Sequence, residues 1–248
     1  FARVADAFAE AAAYTRKPAG YGFGRDRGSL LKRADAAALA KVVGGEAPAV
    51  VSVNRASDIV NVLALKKTYP RLRLILAGAA EGWTVADRIA AAGVPVLASV
   101  APNLPESFEA LAATQSNVGR MIRAGVKVAI VPIGRDLNHQ VRLIPQQAGN
   151  LVAQGRIPGG VQVSHAEALA ALTRNPAEIF GLGGELGTLE PGKRADVVVW
   201  SGDPIELASA PTALFIDGRA TPLESRQTKL RDRYNPLKQD TMPKQYSR

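Results

Sequence analysis

The sequence predicts an α/β protein built around a parallel sheet. Between residues 48 and 132, short runs rich in Val, Ile and Leu alternate with longer helical stretches, the rhythm of βαβ units. Apolar residues make up 47% of the 248 and aromatics only 5%, so Ala, Val, Leu and Ile must fill the core, as in buried strands flanked by Ala-rich helices. After Gly187 the pattern changes to two strand-like runs and an Asp-Gly turn, which announces a small antiparallel element appended to the α/β part.

The elements follow in order. Phe1, Val4, Phe8 and Ala12 fall at helical spacing in an Ala-rich opening stretch, 1–15. Residues 16–33 are rich in Gly and Arg and read as a loop, and 33–45 as a short helix stopped by Gly44-Gly45. Strands are predicted at 48–53, 73–79, 94–99 and 126–132, and helices at 57–70, 82–93 and 107–125. Ser57 or Asp58 can cap the first of these helices. Four parallel strands in this span fit half of an eight-stranded barrel or most of a small doubly wound sheet. Helices follow at 146–155 and 164–181, the latter opened by Ser164 and Glu167 in the S-x-x-E spacing of a capping box. Strands at 196–200 and 213–221 complete the appended element. Residues 223–248 read as a docking segment, with Arg226, Gln227, Arg231, Arg233 and Tyr234 in structural roles, and a polar tail.

The 31 Lys and Arg outnumber the 22 Asp and Glu by nine. They are scattered, with mild clusters at 16–33 and 228–248 and no aromatic-interleaved stripe, so a solvated surface or a protein partner is expected and nucleic acid is not. The absence of Cys excludes disulfides and thiolate metal sites. No apolar run approaches the roughly 20 residues of a membrane span, and no signal peptide is visible. A soluble protein of the cytoplasm or periplasm is expected, with no membrane contact.

"ALAALTRNPAEIFGL" (168–182), "GTLEPGKRADVVVWSGDP" (187–204) and "LFIDGRAT" (214–221), supported by "VNRASDI" (53–59) and "AGVKVAI" (124–130), resemble the C-terminal half of the amidohydrolase superfamily, in its imidazolonepropionase-like and Xaa-Pro dipeptidase-like branch. The resemblance spans roughly residues 45–230. It implies the second half of a metal-bearing (β/α)8 barrel over 1–185 and strands of a small β-sandwich over 186–222. It further implies that Phe1 opens a fragment, or one chain of a split protein, whose complement is an N-terminal half or a paralogous amidohydrolase chain in an oligomer. A self-sufficient chain that closes its sheet differently is the alternative.

The resemblance also places His ligands at the ends of barrel strands five and six and an Asp at the end of strand eight. Those positions fall here on Ser52, on Gly78 and near Ile133, with Asp136 three residues further on able to substitute only if the loop is displaced, so this chain is expected to bind no metal and any zinc to belong to the complement. The catalytic candidates are Asp136 and His139, three apart in the loop after the fourth strand, and Glu81, a base if buried. His165, just after its cap, reads as a surface residue. Asn54, Arg55, Trp83, Asn103 and Arg135 are the candidate substrate contacts, with Arg55 and Arg135 suited to clamping a carboxylate. The expected activity is C–N hydrolysis of amide or dipeptide-like small molecules, with this chain as a non-catalytic frame. The alternative is a metal-free binding protein for an acidic or acyl-amino-acid ligand.

Overall fold

The computed structural model describes residues 2–18, 21, 29–133 and 141–234. They form two compact units that divide after Thr188.

The first unit opens with helices α1 (Ala2–Arg16) and α2 (Arg33–Val43), which pack on one another. Then come β1 (Pro48–Val53), α3 (Ala56–Thr68), β2 (Arg73–Gly78), α4 (Ala86–Ala91), β3 (Val96–Ala98), α5 (Asn117–Arg123) and β4 (Val128–Ile130). Helices α6 (Ile144–Gln154), α7 (His165–Leu172) and α8 (Arg174–Ile179) follow. The four strands are parallel and lie in sequence order, β1-β2-β3-β4. The expected parallel sheet is present, and it winds in one direction with no reversal of strand order.

Alternation along the strands sorts their side chains onto two faces. On one face Leu74, Leu76, Val96, Ala98, Val128 and Ile130 are all at most 3% exposed. On the other, Ile75, Leu97 and Ala129 form a cluster with Ile179 of α8, joined by Ala77, Val131 and Ile133. Val50, paired with Ile75 and therefore on this second face, is 49% exposed.

The outer edge of β4 is partly blunted. The N–H of Val96 donates to Lys127 O, so the next carbonyl, that of Val128, points away from β3. Asn175 Nδ2 donates to it at 2.8 Å. Among the described residues no strand pairs with the outer side of β1 or of β4.

Three helices differ from expectation. Only 117–123 of the expected helix 107–125 is helical, because side chains elsewhere take its backbone amides: Ala112 N–H donates to Glu81 Oε1 and Gln115 N–H to Asn103 Oδ1. The expected helix 82–93 begins as a 3₁₀ turn, Gly82–Val85. The expected helix 164–181 breaks at Thr173, where φ is −121° and ψ −78°. Pro176 is the cause, since its ring would collide with the carbonyl four residues back, whereas in the first turn of α8 it is tolerated. The capping box at Ser164 and Glu167 forms as expected.

The second unit is a three-stranded antiparallel sheet of β5 (Val197–Trp200), β6 (Pro211–Ile216) and β7 (Arg219–Ala220), followed by helix α9 (Arg226–Tyr234). Asp217 and Gly218 have φ of 52° and 73°, the two left-handed residues that a two-residue hairpin of the right twist requires. Asp196 Oδ1 accepts the Asp217 N–H at 2.9 Å and steadies this turn. Helix α9, which carries Arg226, Gln227, Arg231, Arg233 and Tyr234, has no buried residue.

Leu76 is fully buried at the centre of the sheet. Leu76→Ala is expected to cost about 2–5 kcal/mol, read by chemical denaturation; a loss well under 1 kcal/mol would contradict this packing. The Ser164 backbone N–H and hydroxyl, with help from Arg123, hold the Glu167 carboxyl below its ordinary pKa. Its stabilisation is therefore full above the unfolded carboxylate pKa and is lost as pH falls through the lowered folded value. Glu167→Gln should flatten that acid limb of the stability–pH curve, and an unchanged limb would contradict the assignment.

Candidate functional site

The C-terminal ends of the strands bring Asn54, the turn at Gly78–Gly82, Ser99 and Ile133 to one end of the sheet. The segment 101–116, which follows β3, lies across this end and roofs a cleft of about 110 Å³. Asn54, Gly78, Ala80, Ser99, Asn117 and Ile133 form its floor, and Pro102, Leu104, Ser107, Ala110 and Thr114 face them. Glu106 is the one charged side chain among the described lining residues.

Most of the described residues expected at the site bond to this segment. Glu81 is 8% exposed and does not line the cleft. Its Oε2 accepts the Ala56 N–H at 2.9 Å and its Oε1 the Ala112 N–H at 3.1 Å. It thereby supplies the N-terminal bond of α3 that was expected from Ser57 or Asp58, since the N-cap residue, Arg55, makes no side-chain cap. Both oxygens are engaged by backbone amides, so the carboxylate ties two segments together.

Arg55 donates to Phe108 O at 3.0 Å and lies 3.9 Å from the Glu109 carboxylate. Trp83 Nε1 donates to Ala112 O at 2.8 Å, and the Arg120 guanidinium stacks on its ring. Asn103 Oδ1 accepts the Gln115 N–H at 3.1 Å. Arg55, Glu81, Trp83 and Asn103 thus converge on one segment, and of the expected contacts among the described residues Asn54 alone lines the cleft. Arg135, Asp136 and His139 lie outside the described residues. His165 begins α7 and is exposed.

Two contributors were not singled out from the sequence. Asn117, 6% exposed, donates to Ala79 O at 3.0 Å and accepts the Trp83 N–H at 2.9 Å, so one side chain pins the strand-end turn at two points. Nothing local in "SNVGRM" (116–121), which mixes polar and apolar residues, marks that role. Gln147 Oε1 accepts from Ser99 Oγ at 3.2 Å and from Val100 N–H at 3.1 Å. Nothing local to Gln147 in the sequence marks that role.

The described residues at the strand ends do not fit a divalent metal. A glycine and an isoleucine offer no ligand atom, and the one donor at the three expected positions is the hydroxyl of Ser52, on the exposed outer strand. Among the described residues no three of His, Cys, Asp and Glu come together. The arrangement presents hydrogen-bonding side chains to a small cleft, without a nucleophile–base pair among the described lining residues.

Glu81→Gln puts an NH₂ donor against one of two backbone amides. The expected cost is about 1–3 kcal/mol, with faster hydrogen exchange or proteolysis within 101–116; unchanged protection there would contradict the tie.

Comparison with known proteins places this geometry. The amidohydrolase family model matches residues 32–223. An imidazolonepropionase of Aromatoleum aromaticum is 40% identical over 111 residues, 44% of this chain and 26% of that protein. A 5-methylthioadenosine/S-adenosylhomocysteine deaminase of Moorella thermoacetica is 36% identical over 96 residues, 38% of this chain and 22% of that one. Among solved structures, an amidohydrolase from Thermotoga maritima superposes with a TM-score of 0.72 at 24% identity, over 88% of this chain and 54% of its own. An adenosine deaminase from Xanthomonas campestris with bound zinc superposes with a TM-score of 0.53 at 19% identity, over 78% of this chain and 51% of its own. The chain thus spans about half the length of the solved structures it matches. Among the described residues no helix is long and apolar enough to cross a membrane. With the family model running across all four parallel strands and the small sheet, the chain belongs to the amidohydrolase family.

Proposed function

We propose that this chain supplies the C-terminal half of an amidohydrolase barrel, together with strands of its appended sandwich, and serves as the frame of a hydrolase acting on C–N bonds of amide or dipeptide-like small molecules. The observation that carries the reading is the sheet itself. Four parallel strands run in one direction, both outer edges lack a partner strand among the described residues, and Val50 on the second face is 49% exposed. Open outer edges and an exposed apolar residue on the outer strand favour a complement, and closure into a barrel would cover both.

The complement is an N-terminal amidohydrolase half, carried on the same polypeptide or on a second chain of the oligomer. It holds the metal, because the strand ends of this half offer Ser52, Gly78 and Ile133 at the ligand positions. A metal held there would polarise the scissile carbonyl and acidify its water. This half would contribute the second wall of the barrel and the segment 101–116 over its mouth. An acidic ligand clamped by Arg55 finds less support, since that guanidinium already serves Phe108 O and faces Glu109. The compartment, cytoplasm or periplasm, follows the complement.

Native mass spectrometry with elemental analysis of the purified particle tests the reading. The expected result is stoichiometric zinc together with an N-terminal amidohydrolase half, and hydrolysis of an amide or dipeptide panel that depends on both. A zinc-free particle of this chain alone that turns over the panel would overturn it. In that case Asp136, His139 and Glu81 become the residues to replace.

A further inference from the structure

The strand-end positions where a ligand is expected are not merely vacant. Gly78 ends β2 with φ of +95° and Ala79 follows with φ of +48°, so two successive residues take the left-handed conformation. For Ala79, which is fully buried, that conformation carries strain that a neighbouring network must hold in place. The network is present. Ala79 N–H donates to Val53 O at 2.7 Å and Glu81 N–H to Asn54 O at 3.0 Å. Ala80 N–H donates to Asn54 Oδ1 at 3.3 Å, and Asn117 Nδ2 holds the Ala79 carbonyl.

A Cβ on residue 78 would stand 2.5 Å from Asn54 Oδ1 and 3.4 Å from Val53 O. The Asn54 side chain could swing aside, with loss of its bond to Ala80. The backbone of residue 78 could not relax without undoing the turn. At the end of β4, Ile133 packs with Ala77 and Val131 against the Ile75, Leu97, Ala129 and Ile179 cluster. A carboxylate at that position would have to leave the cluster or carry its charge into it.

We infer that this end of the sheet is a closed structural joint, in which positions 78 and 133 are committed to turn geometry and core packing and no longer accept metal-ligating side chains. The inference deepens the frame reading above, for it predicts that single ligand side chains placed at these positions create no metal half-site.

The test uses the full chain and the variants Gly78→Ala, Asn54→Ala, Asn54→Ala/Gly78→Ala, Gly78→His and Ile133→Asp. Gly93→Ala is the control, because Gly93 has φ of +60° and a Cβ there would meet nothing within 4 Å. Melting temperature and bound zinc after equilibrium dialysis are read for each. Gly78→Ala should lower Tm by several degrees more than Gly93→Ala. Measured against an Asn54→Ala chain, the further loss from Gly78→Ala should be smaller than the loss Gly78→Ala causes in the parent, because the contact with Asn54 Oδ1 is gone. Gly78→His and Ile133→Asp should hold no more zinc than the parent, and both should melt earlier. A Gly78→Ala variant that melts with Gly93→Ala would overturn the inference, as would stoichiometric zinc on a Gly78→His or Ile133→Asp chain, or an unchanged Tm for either. These outcomes are read on this chain alone, so a failure to find a complement leaves them standing, and their failure leaves the complement reading standing.

Discussion

The tightest constraint in the first unit is the return of the chain after β2. Within five residues, Gly78 to Gly82, the backbone passes through two left-handed positions and returns bonds to Val53 and Asn54 of the neighbouring strand end. Glu81 then joins three segments with one carboxylate: its own turn, the first amide of α3 and Ala112 of the segment across the sheet end. Burying a carboxylate is costly unless both oxygens are hydrogen-bonded, and here two backbone amides meet that condition. The position of α3, the path of 101–116 and the floor of the cleft all follow from this turn.

The features that mark the family are those of the frame. Asn175 quiets the outer edge of β4 through the Val128 carbonyl. Gly187 has φ of +95°, and a Cβ there would come 2.6 Å from Ala177 Cβ, so the glycine and the small residue of "NPA" are fitted to one another. Asp217 and Gly218 make the left-handed hairpin turn. None of these needs a metal to be useful.

Much of this frame was legible in the sequence. Four apolar runs at regular spacing gave the parallel strands, Ser164 and Glu167 gave the start of α7, and the Asp-Gly pair gave the hairpin of the small sheet. The site was less legible because its bonds span the chain. Glu81 meets Ala56 and Ala112, Trp83 meets Ala112, and Ser99 meets Gln147, separations of 25 to 48 residues that no local pattern encodes. The same long-range bonds explain the lost helix: 107–116 has helical composition, but Glu81 and Asn103 claim its amides. Among the described candidates, Asn54 lines the cleft, while Arg55, Glu81, Trp83 and Asn103 bond to the segment across it.

Anomalous scattering at the zinc edge, measured on crystals of the native particle, tests the central claim most directly. The account predicts that any zinc peak is coordinated by residues outside this chain's strand ends, with Asn54, Gly78, Ser99 and Ile133 beyond bonding distance. A peak within about 2.0–2.3 Å of a side-chain atom at one of those strand ends would contradict it.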